Sequence, residues 1–571
     1  MAALILAAPA SAASQCQLVK YLELPVQMTG ARPIVTTKIG GKDARFILDS
    51  GAFFSTMSRA SAAEYQLVTV AAPARLHLRG INGETSADMT TVREFELGGV
   101  KIPQVQFIVG GTDTGQVGLL GQNFLSMFDV EYDFPHGMLR LFRAKNCPDA
   151  AAAYWAGQRP VTVLPLIPVP YHTVATVTLN GVKLKAGFDS GAPLAGLTLS
   201  GAKHAGLTPQ SPGVTEAGYT GGIGSKTLKQ WVGTFDKIDI GGEAIPHPRI
   251  HFADMELGDF DMLIGFDFFL THRILVENNA GRMLVTYEGG PMFGLKPTGV
   301  RDAGGAEIAL DKPDAAPTDA EGFARRGGVS ASGGKLEAAI ADFDQAVALA
   351  PGNARYLKMR AAARMANRQP LLALADYEKV IAIDPADPDP HVARANLRLV
   401  FNDPKGAAED IAIADKTLPP SSEGRLMLGG LFDTVEQYPQ AIANFDQWLK
   451  FHPEDERRPV ALNGRCWARA LLNQELDKAL TDCNAAIRAR PNAGAYLDSR
   501  ALVRLRRGEL ALAKADYDAA LALTPRNALA LYARGLVRGK LGDAAGAETD
   551  RAAALAIQPA VAARAKRLGL E

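Results

Sequence analysis

The sequence has no surplus of either charge, few cysteines, few aromatics and no long apolar run beyond its first residues. Its 61 basic and 61 acidic side chains cancel, so no global field draws it to nucleic acid or to an anionic membrane. Aromatic residues make up only 7% and charged residues 21%, against 47% hydrophobic residues; that balance excludes a disordered or membrane-embedded chain and fits folded domains. The four cysteines, Cys16, Cys147, Cys466 and Cys483, match no metal-ligand spacing, and His-Glu-x-x-His is absent, so a zinc enzyme is disfavoured and no cofactor is expected. There is no Gly-x-Ser-x-Gly elbow or comparable cysteine context for a nucleophile. The scattered His77, His136, His172, His204, His247, His251 and His272 therefore read as surface or structural residues and not as general bases.

At 571 residues the chain exceeds what one core serves, and two to four domains are expected. The opening MAALILAAPASAASQC is an apolar run ending in small side chains, as in a secretory signal with cleavage after Ala12, although the usual preceding basic stretch is missing. Residues 1–15 are expected to be this signal and the product to be periplasmic. Gln15 is too large for the position before a lipidated cysteine.

From about residue 335 the texture becomes helical. Pro317, Pro351, Pro385, Pro419, Pro453, Pro491, Pro525 and Pro559 recur at intervals of 34 residues, with one of 38. Nine residues before each proline from Pro351 onward stands Asp342, Asp376, Asp410, Asn444, Asp482, Asp516 or Asp550. This period resembles the tetratricopeptide repeat (TPR), in which stacked helical hairpins share a core, and up to seven units fit between residues 318 and 559. The resemblance implies a protein partner. The recurring acidic residues are expected to serve helix geometry. Gly-Gly pairs at 327–328 and 333–334 weaken a helix, so the first unit is expected to be half formed.

Residues 16–290 instead show short alternating segments such as VTTKIGG and VATVTLNG, punctuated by Gly, Asn and Pro, which read as strands and hairpins. Within them GGKDARFILDSGA (40–52) aligns on NGVKLKAGFDSGA (180–192) at an offset of 140. LGGVKIP (97–103) matches IGGEAIP (240–246), and GLLGQNFL (118–125) matches MLIGFDFF (262–269), so a whole unit is duplicated. The pairing of Asp49-Ser50-Gly51 with Leu119-Leu120-Gly121, and of Asp189-Ser190-Gly191 with Leu263-Ile264-Gly265, resembles the retropepsin and pepsin group of aspartic proteases.

That resemblance implies an all-β double-lobed acid-protease fold followed by an all-α TPR solenoid: lobes at 16–147 and 148–290, a linker at 291–320 and repeats at 321–571. It implies an endopeptidase acting on a peptide or protein substrate, with Asp49 and Asp189 as the catalytic pair. Amide hydrolysis without metal or covalent intermediate needs one group to take a proton from water and another to give one to the carbonyl; two carboxylates sharing a proton suffice. Ser50 and Ser190 are expected to lock the two loops by hydrogen bonds, and Gly51 and Gly191 to let them approach. Flaps are expected at Asn82-Gly83 in the first lobe and at Tyr219 to Gly221 in the second.

Departures concentrate in the second lobe, where Gly187 interrupts the strand before Asp189 and Pro193 follows the motif; a distorted second site is expected there. Asp129, Asp133, Asp261 and Asp267 compete for the catalytic role but sit where residues cap or turn the chain, and Tyr154-Trp155 is placed to pack the lobes together. In an oxidising compartment Cys16 would pair with Cys147 across the first lobe and Cys466 with Cys483 across two helices; four separate buried thiols are the alternative. Two further readings remain open: an inactive protease fold serving as a TPR-based binding scaffold, and lobes that pair only with those of another chain.

Overall fold

The computed structural model describes residues 16–72, 78–80, 83–85, 87–110, 116–145, 147, 152–157, 159, 161–220, 228–290, 292–293, 317–453, 455 and 457–570, with the side chains of 78–80, 83–85 and 219–220 outside the description. Two β lobes precede a run of helices.

Each lobe is built on strands whose side chains alternate, as in Pro33–Ile39, where Thr36 and Lys38 face out between Val35, Thr37 and Ile39 facing in. In the first lobe the order across the sheet runs Val100–Ile102, Phe95–Leu97, Pro33–Ile39, Lys42–Leu48, Gly118–Leu120, Thr56–Met57, Val105–Val109, Asp88–Val92, Thr69–Ala71. The second lobe repeats that order with Glu243–Pro246, Lys237–Ile240, Val174–Leu179, Val182–Phe188, Met262–Ile264, Gly196–Thr198, Arg249–Ala253, Leu228–Thr234, Thr215–Thr220. The duplication read from three short matches is thus a duplication of topology, strand for strand.

The lobes are joined by an antiparallel six-stranded sheet, ordered Gln17–Pro25, Met138–Lys145, Asp129–Asp133, His272–Glu277, Arg282–Tyr287, Thr162–Pro165, in which the middle pair bridges the two halves. Across this seam Arg273 Nη2 of the second lobe donates to Glu131 Oε1 of the first at 2.8 Å, and its guanidinium lies 4.7 Å from the Trp155 ring. Trp155 Nε1 in turn donates to Thr286 Oγ1 at 2.8 Å, so Tyr154-Trp155 does pack the passage between lobes. The lobes pair within one chain. Cys16 is bonded to Cys147, tying the first strand to the end of its neighbour.

The helical part consists of seven hairpins, from Ala320–Ser332 with Leu336–Leu349 to Ala528–Lys540 with Ala544–Ile557, and a closing helix Val561–Arg567. Each second helix stops just short of a recurring proline, which cannot continue the backbone bonding. The recurring acidic residue is buried at the middle of that helix and clamped by an arginine of the first helix: Arg360 Nε and Nη2 meet Asp376 at 3.0 and 2.5 Å, and Arg394 meets Asp410 at 2.9 and 2.7 Å. The same fork joins Arg500 to Asp516 and Arg534 to Asp550. The geometric role expected of these residues is therefore an intrahairpin ion pair, whose arginine stands 16 residues upstream. Cys466 and Cys483 are bonded across the fifth hairpin.

The first hairpin corrects the expectation of a half-formed unit. Ala320–Ser332 is a full helix, because Gly327 and Gly328 are packing residues. A Cβ at Gly327 would stand 2.7 Å from the Phe343 ring, and one at Gly328 would stand 3.6 Å from Met28 of the first lobe. Burial against both neighbours repays the low helix propensity of glycine. Val329 adds to the lobe core, so the solenoid is docked on the β half through this helix.

Candidate active site

Asp49 and Asp189 each follow a strand, Lys42–Leu48 and Val182–Phe188, that runs parallel to Gly118–Leu120 or Met262–Ile264. That neighbour holds each loop from below: Asp49 N donates to Leu120 O at 3.0 Å and Asp189 N to Ile264 O at 2.9 Å. Gly187 sits within the paired strand, and a Cβ there would meet only ordinary contacts at 3.4 Å. The distortion expected from Gly187 and Pro193 is absent, because Pro193 is exposed beyond the loop and takes no part in its bonding.

The two loops are locked reciprocally. Ser50 Oγ donates to Phe188 O at 2.9 Å and accepts from Ser190 N at 2.9 Å; Ser190 Oγ donates to Leu48 O at 2.9 Å and accepts from Ser50 N at 3.1 Å. Both hydroxyls are buried, so every polar group in the crossing is satisfied inside the molecule. Gly51 and Gly191 make the approach possible: a Cβ at Gly51 would lie 2.2 Å from Asp189 Cγ, and one at Gly191 would lie 2.4 Å from Asp49 Cγ.

Within each loop one carboxylate oxygen is fixed by backbone amides. Asp49 Oδ1 accepts from Gly51 N at 3.0 Å and Ala52 N at 2.7 Å, and Asp189 Oδ1 accepts from Gly191 N at 2.8 Å and Ala192 N at 3.1 Å. The two carboxyl groups face each other at interacting range. Burial, and then the charge of Asp189, push Asp49 well above the ordinary carboxylate range. Burial also raises Asp189, against the opposing pull of the amide donors and of the facing Asp49 carboxyl. Two acids this close cannot both ionise readily, so the pair holds one proton over a range where isolated aspartates hold none.

The surroundings differ between lobes. Gln122, beside the first apolar-apolar-Gly segment, donates from Nε2 to Ser50 O at 2.9 Å and to Thr173 Oγ1 at 3.2 Å, buttressing the lock from below, whereas Phe266 stands at the matching place in the second lobe. At the mouth, Phe53 packs its ring 4.6 Å from Tyr171 and 6.0 Å from His172, which lies 5.3 Å from Phe260. His172 is thus no remote surface histidine. It lies close enough to feel the charge of Asp189, though burial lowers its affinity for a proton. Neither Gln122 nor this cluster was signalled by the duplicated motif, since both fall where the two copies differ.

The competing acids are engaged elsewhere. Asp129 Oδ2 accepts from Ala144 N, Asp133 binds Arg140 and His136, and Asp261 Oδ2 accepts from Lys185 N. Asp267, pushed up to about 6 by burial, stands on the short helix Phe266–Phe269 with its Oδ1 buried and without a hydrogen-bond partner. Among the flap positions, Gly83 begins a strand paired with Leu78–Gly80, and Tyr219 lies on a strand paired with Leu228–Thr234. Asn82 and Gly221 lie outside the described residues. No group of acids, histidines and cysteines fit to hold a metal is found among the described residues.

The aspartyl protease family model matches residues 35–124 and 175–268, one stretch in each lobe and each containing one of the two aspartates. No curated protein matches the chain. Solved structures similar to the helical part include a tetratricopeptide repeat protein from Parabacteroides merdae, 18% identical, covering 44% of this chain and 98% of that one with a TM-score of 0.34. PilW, a type IV pilus biogenesis factor, is 20% identical over 36% of this chain and 94% of its own, with a TM-score of 0.31. YrrB, a TPR protein with an unusual peptide-binding site, is 21% identical over 34% and 97%, with a TM-score of 0.24.

Proposed function

We propose that this chain, a two-lobed aspartyl-protease fold continued by a TPR solenoid, is an aspartic endopeptidase whose repeats recruit a protein substrate or partner. The observation that carries the reading is the pair of facing carboxyls held by the reciprocal Ser50–Ser190 lock. With one proton on the pair, the ionised oxygen takes a proton from a water between the carboxyls while the protonated one donates to the substrate carbonyl. The tetrahedral species then collapses as the proton returns to the leaving amine. The amides of Gly51, Ala52, Gly191 and Ala192 keep one oxygen of each carboxyl fixed throughout, so little reorganisation accompanies the proton transfers.

The two disulfides support a site of action outside the reducing cytosol, consistent with the signal-like first residues. The test is cleavage of an unfolded protein substrate across mildly acid to neutral pH. Asp49→Asn and Asp189→Asn should each lower turnover by several orders of magnitude, and undiminished cleavage by either variant would overturn the assignment of the pair. The profile of the wild type should fall on both sides of the range in which the pair holds one proton.

A further inference from the structure

A groove of about 760 Å³ crosses the first helices of the fourth, fifth and sixth hairpins, Gly424–Thr434, Arg458–Leu472 and Gly494–Arg506. Its walls are mostly apolar: Leu426, Met427, Val460 and Trp467 line it, and Met427 and Val460 are 55% and 42% exposed. Within it stand two acids that no described salt bridge reaches. Asp498 is only 7% exposed; its Oδ2 accepts from Asn527 Nδ2 at 2.9 Å, and no described hydrogen bond reaches Oδ1. Asp433 Oδ1 is buried with no hydrogen-bond partner, as is Asn463 Oδ1 beside it.

Cations in the neighbourhood are already committed. Arg457 at the rim is taken by Glu423 at 2.6 Å and Asp455 at 2.8 Å, and Arg564, whose charge reaches Asp433, lies 3.9 Å from Glu436. The contrast with the rest of the solenoid is informative, because each recurring buried aspartate there has its own arginine. A buried carboxylate left unpaired costs free energy that an incoming cation would recover.

We propose that this groove binds an apolar peptide segment bearing a lysine or arginine, whose cation pairs with one of these two acids, Asp498 or Asp433, while its neighbours cover Met427, Val460 and Trp467. The inference deepens the recruitment role in the proposed function and rests on it: the partner or substrate is selected for a basic residue set among apolar ones. Burial pushes both acids up to about 6, as expected of carboxyls that lack a bound cation. Gly430 faces open space, since nothing lies within 4 Å of where its Cβ would stand.

The experiment titrates the full chain into three labelled peptides that differ at one central position, Leu-Lys-Leu, Leu-norleucine-Leu and Leu-Glu-Leu, at neutral pH, reading fluorescence anisotropy. The lysine peptide should bind at least about tenfold more tightly than the other two, and high salt should erode the difference. Asp498→Asn and Asp433→Asn combined should remove the preference and keep weak apolar binding; Gly430→Leu, which favours the helix and fills the groove, should remove both. Equal affinities, a preference for glutamate, absence of binding, or a lysine preference that survives the double asparagine variant would each overturn the proposal. Asp49→Asn separates this from the proteolytic reading: it should abolish cleavage with peptide binding intact. Lysine-selective binding by a wild type that cleaves nothing would retire the protease and keep the groove.

Discussion

Ser190 shows how much rests on one hydroxyl. Ser190→Ala would leave Leu48 O and Ser50 N without partners in a buried crossing, a loss of roughly 2–6 kcal/mol at about 1–3 kcal/mol per orphaned group. Cleavage should fall further than stability, because a shift of about 1 Å in a carboxylate costs on the order of a hundredfold in rate. Ser190→Thr, which keeps the oxygen, should restore both in urea unfolding and in turnover. The aspartates act in the opposite sense on stability. Their affinities for a proton are raised in the folded chain, so the folded state retains a proton that the unfolded state has released. Stability is therefore fully present below the ordinary aspartate range and declines as pH rises through the folded value. Asp49→Asn, inactive, should accordingly unfold at a higher urea concentration than the wild type near neutral pH, with the gap closing on acidification. The pair itself was legible because its motif occurs twice. Gln122 and His172 were not, because duplication is the signal and they lie where the copies diverge.

At the scale of the hairpin, the arginine forks differ in burial and so in worth. Asp376 is 1% exposed and is met by both Arg360 and Arg364, whereas Arg326, which meets Asp342 in the first hairpin, is 46% exposed. Arg360→Met removes one partner of a buried pair and should cost about 3 kcal/mol in thermal or chemical unfolding; Arg326→Met should cost about 1 kcal/mol or less, since its charge is largely solvated. Equal losses at the two sites would mean that burial does not set the strength of these forks. The acidic half of each fork was visible in the sequence as a nine-residue offset from proline. Its arginine recurs nearly as regularly, at Arg326, Arg360, Arg394, Arg465, Arg500 and Arg534, 16 residues before the acid except for Arg465, which stands 17 before Asp482. The fourth hairpin has Asn444 in place of the acid, with Arg425 bonded to it and to Asp415.

Across the whole molecule two of the places where the described solenoid approaches the first lobe stand out. Its first helix packs Gly328 on Met28 and Arg325 on Gly137, and the turn at Pro419, Pro420 and Ser421 shares a cavity of about 430 Å³ with Lys42, Asp43 and Tyr65. The groove and the cleft are thus carried on one body, held at the glycine contact. Gly328→Leu should wedge that contact apart: small-angle scattering should show a larger radius of gyration and proteolysis should cut faster before residue 320, with circular dichroism little changed. An unchanged envelope would show that contacts elsewhere hold the halves together. The amino-acid order by itself determined the two lobes, the repeat period and the identity of the two aspartates, because each is a local pattern repeated along the chain and repetition survives without knowledge of what touches what. Only the tertiary structure decided that the second loop is as well formed as the first, that Gly327 and Gly328 are contacts and not helix breakers, and that Asp433 and Asp498 lack the arginines that the recurring buried aspartates have. Those outcomes depend on which distant side chains fill the space around a residue, and burial, not sequence spacing, sets the free energy of a glycine or an unpaired charge.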